Sequence, residues 1–305
     1  MKAVRIHRFG GPEVLQVDEI AQPEASDGKL LIRVAAASVN PVDYKIRKGG
    51  YPKVTEKDLP VTLGRDVAGV VETAGDGFAA GDEVYAHLDW ADGGYAGFAL
   101  CAPAGVAARP SSIGMVEAAA VPLAATTAWQ GLFDHGGLKA GEQVLIHGAS
   151  GGVGAFAVQF AHIHGAQVIA TASAGEIERV RGLGADRMID HEAQKFEDEA
   201  CDLDLVFDLI GGETQDKSFQ TLKRGGRLIS TVQEPDAAKA AVAGVIATRY
   251  MATPNAGQLA EFARLIDAGQ LQVTVAKVFD LEQAAEAHRF LEEDHPHGKV
   301  VLDVG

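Results

Sequence analysis

The run Val144-Leu145-Ile146-His147-Gly148-Ala149-Ser150-Gly151-Gly152-Val153-Gly154 limits the possible folds of this chain more than any other segment. An apolar strand, a glycine-rich turn and the start of an amphipathic helix arrive in the order a dinucleotide site needs. Glycines let the backbone turn sharply and approach a pyrophosphate. The helix N-terminus then offers unpaired N–H groups and a partial positive charge to the anion. The spacing is G-x-x-G-G-x-G, not G-x-G-x-x-G, so the flanking strand and helix carry the reading. The alternative is a tight strand-to-helix turn without a ligand. A P-loop fits less well still, because no Gly-Lys-Ser/Thr follows.

The rest of the middle of the chain keeps the same rhythm. Strands are predicted at Gln143–His147, Gln167–Thr171, Arg187–Ile189, Leu203–Asp208 and Gly226–Thr231, with helices at Gly152–His164, Ala174–Leu183 and Glu213–Leu222. Such alternation predicts a parallel sheet covered on both faces. Residues 143–175 contain no Asp, Glu, Lys or Arg. Their glycines, histidines and glutamines, with the strand–turn–helix order, argue for a buried unit and against a membrane span.

The N-terminal third reads differently. Short apolar runs at Ala3–Ile6, Leu30–Ala36, Val67–Thr73 and Glu83–His87 are separated by turns such as Phe9-Gly10-Gly11-Pro12, Ser26-Asp27-Gly28 and Ala74-Gly75-Asp76-Gly77. A compact, barrel-like β-rich domain is expected there. Met115 to His135 reads as two helical pieces around Pro122. After Gly257, the order is a helix (Gln258–Asp267), a strand (Val273–Val278), a helix (Leu281–Glu292) and a final strand (Lys299–Val304). The predicted fold class is therefore α/β. A β-rich domain is expected over residues 1–114, and a doubly wound parallel-sheet domain over 115–256.

Composition removes several classes of function. Asp and Glu outnumber Lys and Arg by 42 to 27, a net charge of −15, so nucleic acid is not expected as a partner. The two cysteines, Cys101 and Cys201, cannot build a disulfide framework or a four-cysteine zinc site. The N-terminus lacks the apolar core of a secretory signal. A cytoplasmic protein without membrane partners is expected. At the tip of the second Rossmann strand stand Thr171-Ala172-Ser173, with no carboxylate to hold a ribose 2′-hydroxyl. This points to NADPH over NADH. Glu176 stands close by, and Arg179 is the cation available to offset it.

Several further segments carry a family resemblance. They are Ala37-Ser38-Val39-Asn40-Pro41-Val42-Asp43-Tyr44-Lys45-Ile46-Arg47, Leu63-Gly64-Arg65-Asp66-Val67-Ala68-Gly69, Gly81-Asp82-Glu83-Val84-Tyr85 and Pro122-Leu123-Ala124-Ala125-Thr126-Thr127-Ala128-Trp129. Leu183-Gly184-Ala185-Asp186, Ile189-Asp190-His191 and Gly298-Lys299-Val300-Val301-Leu302 complete the set. Over nearly its whole length the chain resembles zinc-independent medium-chain dehydrogenases/reductases of the quinone oxidoreductase and alkenal/enone reductase type. The resemblance implies a GroES-like catalytic domain over residues 1–114, completed by 257–305, beside a Rossmann domain over 115–256, with cofactor and substrate meeting in the cleft between them. It also implies a homodimer. Zinc-dependent relatives carry a Cys where Asn40 stands and a His-Glu pair where Arg65-Asp66 stand, so no metal site is expected.

The resemblance assigns the site residues. Asn40, Tyr44 and Lys45 are the catalytic candidates. Asn40 orients substrate or nicotinamide, Lys45 donates to a developing enolate oxygen, and Tyr44 is a second donor. The cofactor is expected to meet Asp43, Thr127, Gly148, Ala149, Ser150, Gly151, Gly152, Val153, Gly154, Ser173, His191 and Lys299. Asp43 is also expected to fix its loop by local hydrogen bonds. The implied reaction is hydride delivery from NADPH to a small-molecule enal, enone or quinone. Loops at about 48–60 and 232–256 are expected to shape the pocket. A zinc-type alcohol dehydrogenase and a non-catalytic NADPH-binding sensor are the alternatives.

Overall fold

The computed structural model describes residues 1–25, 28–294 and 296–305. The Ser26-Asp27 part of one expected turn lies outside the described residues, as does His295. The chain divides into two compact units, one formed by residues 1–123 and 254–305, the other by 124–253.

In the first unit, Leu30–Val39 is the central strand. It pairs with Asp66–Val71, with Phe98–Cys101 and with Lys299–Asp303. The sheet continues through Glu83–His87 and Val106–Ala108 on one side and ends at Val275–Asp280 on the other. A smaller sheet joins Leu15–Glu19, Lys2–Ile6 and Val61–Thr62. The C-terminal strand thus lies directly against a strand from the first forty residues, in the register Val300↔Val39. Apolar side chains of Leu30, Ile32, Val34, Ala37, Val67 and Val300 form the core between these strands. The Ala284–Glu293 helix adds Ala284 and Ala287 to that core.

In the second unit the parallel sheet runs Arg187–Asp190, Gln167–Ala172, Gln143–Ile146, Leu203–Asp208, Leu222–Ser230, Ile246–Arg249 from edge to edge. In chain order this is 3-2-1-4-5-6, the doubly wound arrangement whose ligand site lies beyond the strand ends at the point where the order reverses. The Gly152–Ile163 helix buries Phe156, Ala157, Phe160 and Ala161, as its spacing predicts, and leaves Val153 half-buried.

Two expectations differ from the structure. The 232–256 segment is not a loop: it holds the Ala237–Ala243 helix and the sixth strand, Ile246–Arg249. That strand lies at the sheet edge with no fully buried side chain, so no apolar run marks it. The unit boundaries lie at 123/124 and 253/254, not at 114/115 and 256/257. The Met115–Ala119 helix buries Ala118 and Ala119 and belongs to the first unit.

Candidate functional site

The glycine-rich turn has backbone geometry that only glycine supplies. Gly148 has φ +71°, a conformation that glycine adopts without strain. A Cβ on Gly154 would stand 2.2 Å from Gly148 O, so only glycine lets the helix pack onto the turn. Gly151 caps the Gly152–Ile163 helix with no side-chain hydrogen bond, and the first helical turn carries no acidic residue. The first-turn N–H groups therefore keep their capacity for a ligand oxygen. These residues fit a dinucleotide pyrophosphate. Gly148, Ala149, Ser150, Gly151, Gly152, Val153 and Gly154 all lie in this segment.

The neighbouring strand tip supplies further groups. Ser173 follows the Gln167–Ala172 strand and caps a short 3-10 turn, Ala174–Glu176. Arg179 donates from Nη2 to Ser150 O at 2.7 Å and from Nε to Glu176 Oε2 at 2.6 Å. Its Nη1 is buried without a partner among the described residues. The exposed His191 stands at the adjacent strand end, where its backbone N–H donates to Ala172 O at 3.2 Å. Thr127 is half-buried in the Pro122–Trp129 helix, and its carbonyl accepts from the Tyr250 hydroxyl.

In the first unit, Asn40 and Lys299 are brought together although 259 positions separate them. Lys299 Nζ donates to Asn40 Oδ1 and lies 3.7 Å from Asp66 Oδ2. Asn40 Nδ2 donates to the same Asp66 oxygen at 2.9 Å, and so does Ser38 Oγ at 2.6 Å. Asp66 Oδ1 accepts from Leu123 N at 2.6 Å. All four side chains are buried. Burial lowers the pKa of the Lys299 ammonium, and the carboxylates of Asp66 and Asp43 oppose that shift.

Asp43 is completely buried at the start of the Pro41–Arg47 helix, where its carboxylate accepts from Asn40 N at 2.8 Å. It also accepts from Gly64 N at 3.3 Å and from Tyr95 Oη at 2.9 Å. The bond from Asn40 N is the local one expected of it, whereas Gly64 and Tyr95 reach it from distant parts of the chain. Burial raises its pKa to about 6, against the pull of the Asn40 and Tyr95 donors. Burial also raises the pKa of Tyr44, so its phenol keeps its proton across the neutral range. Lys45 lies on the exposed side of the same helix, whereas Ile46 and Arg47 face inward.

Sequence reasoning passed over Asp66 as a hub, although a carboxylate at the head of the apolar run Val67-Ala68-Gly69-Val70-Val71 requires buried donors. That signal was available. Among the described residues, no three His, Cys, Asp or Glu side chains are gathered as ligands for a metal ion.

Comparison with known proteins places both units. Residues 26–130 match the alcohol dehydrogenase GroES-like domain, and residues 183–302 match the zinc-binding dehydrogenase family. The chain is 35% identical to the NADPH-dependent alkenal/one oxidoreductase, chloroplastic, of Arabidopsis thaliana, across 99% of this chain and 79% of that protein. It is 34% identical to the quinone oxidoreductase of Homo sapiens, across 99% and 97%. The structure of the quinone oxidoreductase from Coxiella burnetii matches with a TM-score of 0.93 at 32% identity, covering 100% of this chain and 99% of that one.

Proposed function

The chain belongs to the quinone oxidoreductase branch of the medium-chain dehydrogenase/reductase superfamily, and from that footing we propose that it reduces α,β-unsaturated carbonyls or quinones with NADPH. The observation that carries the reading is the buried Lys299 ammonium held on Asn40 and Asp66. NADPH, bound along the glycine-rich turn, supplies the hydride. When the hydride reaches the β-carbon of an enone, negative charge develops on the carbonyl oxygen. Lys299 offers a fixed positive charge and N–H donors to that oxygen. Asn40 and Asp66 hold the ammonium in place before the charge develops, which is where such groups are most effective.

Asn40 and Arg65-Asp66 stand where zinc-dependent relatives place Cys and His-Glu. An amide and a guanidinium are poor zinc ligands, so we assign the cationic role to Lys299 instead of a metal. Tyr44 and Lys45 are the candidate donors of the proton that the α-carbon needs.

Arg179 supports the choice of NADPH. It neutralises Glu176 through Nε and donates from Nη2 to Ser150 O within the glycine-rich turn, which leaves Nη1 without a partner among the described residues. The exposed Ile246 and Val242, at and near the edge strand, support a homodimer, which light scattering would test; a monomer at micromolar concentration would refute it. No helix among the described residues is long and apolar enough to cross a membrane. We place the protein in the cytoplasm, and recovery in a membrane or organelle fraction would refute that.

The deciding experiment is NADPH and NADH consumption against small enals, cyclic enones and quinones, with zinc measured after dialysis. Turnover without zinc supports the proposal. Tight NADPH binding with no turnover would identify a sensor, and activity that follows zinc content an alcohol dehydrogenase.

A further inference from the structure

A line of buried side chains leads from the Ala284–Glu293 helix to the Pro41–Arg47 helix. Arg47 is fully buried, pairs with Glu292 at 2.5 Å through Nη2, and donates to Gly10 O at 3.2 Å. Its Nη1 lies 3.1 Å from His288 Nδ1. A guanidinium only donates, so Nδ1 is the acceptor and the ring proton sits on Nε2. Nε2 is 3.3 Å from Tyr95 Oη, which therefore accepts that proton. The hydroxyl hydrogen of Tyr95 is then directed to Asp43 Oδ2, 2.9 Å away. Each donor points the same way, and the line ends on the carboxylate that accepts from Asn40 N. Gly64, at φ +99°, packs so closely on Tyr95 that a Cβ would stand 2.5 Å from the ring. The ring cannot swing toward that side.

We propose that Tyr95 and His288 are positioning residues for the reduction: acting through Asp43, they hold Asn40 so that its carbonyl stays on Lys299 and its amide on Asp66. This rests on the reading that Asn40 and Lys299 meet the acceptor.

The arrangement requires a neutral His288 and an ionised Asp43. Burial and then Arg47 lower the His288 pKa to about 3, so this ring keeps its acceptor throughout the neutral range. Asp43, with its pKa raised to about 6, is the member that titrates within reach of neutrality. The other charges that act on it are Asp66, Arg65 and Lys299. A proton on Asp43 enters a carboxyl already facing three donors, and the hold on Asn40 is lost.

Two readouts test this. The first is the pH profile of kcat/KM with an enone. The second is the carbon-13 NMR titration of the Asp43 carboxyl, assigned with Asp43→Asn, which needs no substrate. Both are expected to show a midpoint near pH 6 in the wild type. Tyr95→Phe removes one donor to Asp43 and moves both midpoints upward, by about one unit, so kcat/KM at pH 6 falls about fivefold more than at pH 8. His288→Gln retains an acceptor for Arg47 and a donor for Tyr95 and stays near wild type, whereas His288→Leu moves in the direction of Tyr95→Phe. Unmoved midpoints in Tyr95→Phe, or identical behaviour of the Gln and Leu variants, would overturn the proposal. The His288 pair decides the matter if Tyr95→Phe does not fold. An active wild type whose variants lose rate equally at every pH also overturns it. A wild type that titrates as described but reduces no enal, enone or quinone removes the proposed function and leaves the Tyr95–Asp43 coupling intact.

Discussion

At the scale of single residues, the proposed chemistry rests on Lys299, Asn40 and Asp66, which the structure brings into contact. Lysine is rarely buried, because removing an ammonium from water costs several kcal/mol unless a carboxylate and hydrogen-bond acceptors replace the solvent. Asp66 and Asn40 do so here. Lys299→Met is accordingly expected to lower kcat/KM for enones by about 10²–10³, the usual effect of removing one oxyanion donor, with little change in NADPH affinity by fluorescence titration. Lys45→Ala, on an exposed side chain, is expected to cost less; the reverse order would return the donor role to Lys45. Arg179 is the residue proposed to meet the 2′-phosphate of the cofactor. Arg179→Ala should weaken binding of adenosine 2′,5′-bisphosphate about tenfold or more and leave 5′-AMP nearly unchanged, because only the first carries the 2′-phosphate. Equal losses for both ligands would show that Arg179 serves the turn through Ser150 and not the phosphate.

The elements decide how those residues meet. The Gly152–Ile163 helix was legible because glycine spacing and apolar periodicity agreed within one short window. Its closeness to the turn makes a direct prediction. Gly154→Ala places a methyl 2.2 Å from Gly148 O, so the helix must withdraw. A loss of about 1–3 kcal/mol is expected in chemical denaturation, together with weaker NADPH binding. A variant with wild-type stability and affinity would show that the turn yields freely. The Ala237–Ala243 helix and the Ile246–Arg249 strand were not legible. The helix is nearly all alanine with little amphipathic contrast, and the strand is exposed on an edge, so neither shows the pattern that burial imposes. The role of Asp43 in fixing its loop was legible, because an aspartate three residues beyond Asn40 at a helix start is a local signal. Tyr95 and His288 were not tied to it, because they come from two distant parts of the chain.

The whole molecule adds a pH dependence that no single element carries. His87, His147 and His288 are completely buried, and burial lowers their pKa values to about 4, about 4 and about 3. In the unfolded chain they titrate near 6.5, so below that pH the unfolded state binds more protons and stability falls. At pH 5 the loss is about 2 kcal/mol for each ring. Asp43 works in the opposite direction: its raised pKa means that the folded state takes up a proton first as pH falls through 6, a gain of about 1 kcal/mol. The histidines win, and the melting temperature should drop clearly between pH 7 and pH 5. A constant melting temperature over that interval would mean that these rings are hydrated or paired in solution. By itself, the sequence determined the α/β class, the glycine-rich strand–turn–helix and the branch of the superfamily, because each is written in short windows where spacing maps directly onto local geometry. Only the tertiary structure decided that Lys299 lies on Asn40 and Asp66, and that Tyr95 and His288 stand behind Asp43. Those contacts join residues up to 259 positions apart, and their partners are chosen by sheet register and by the need to satisfy buried charge, neither of which any local pattern records.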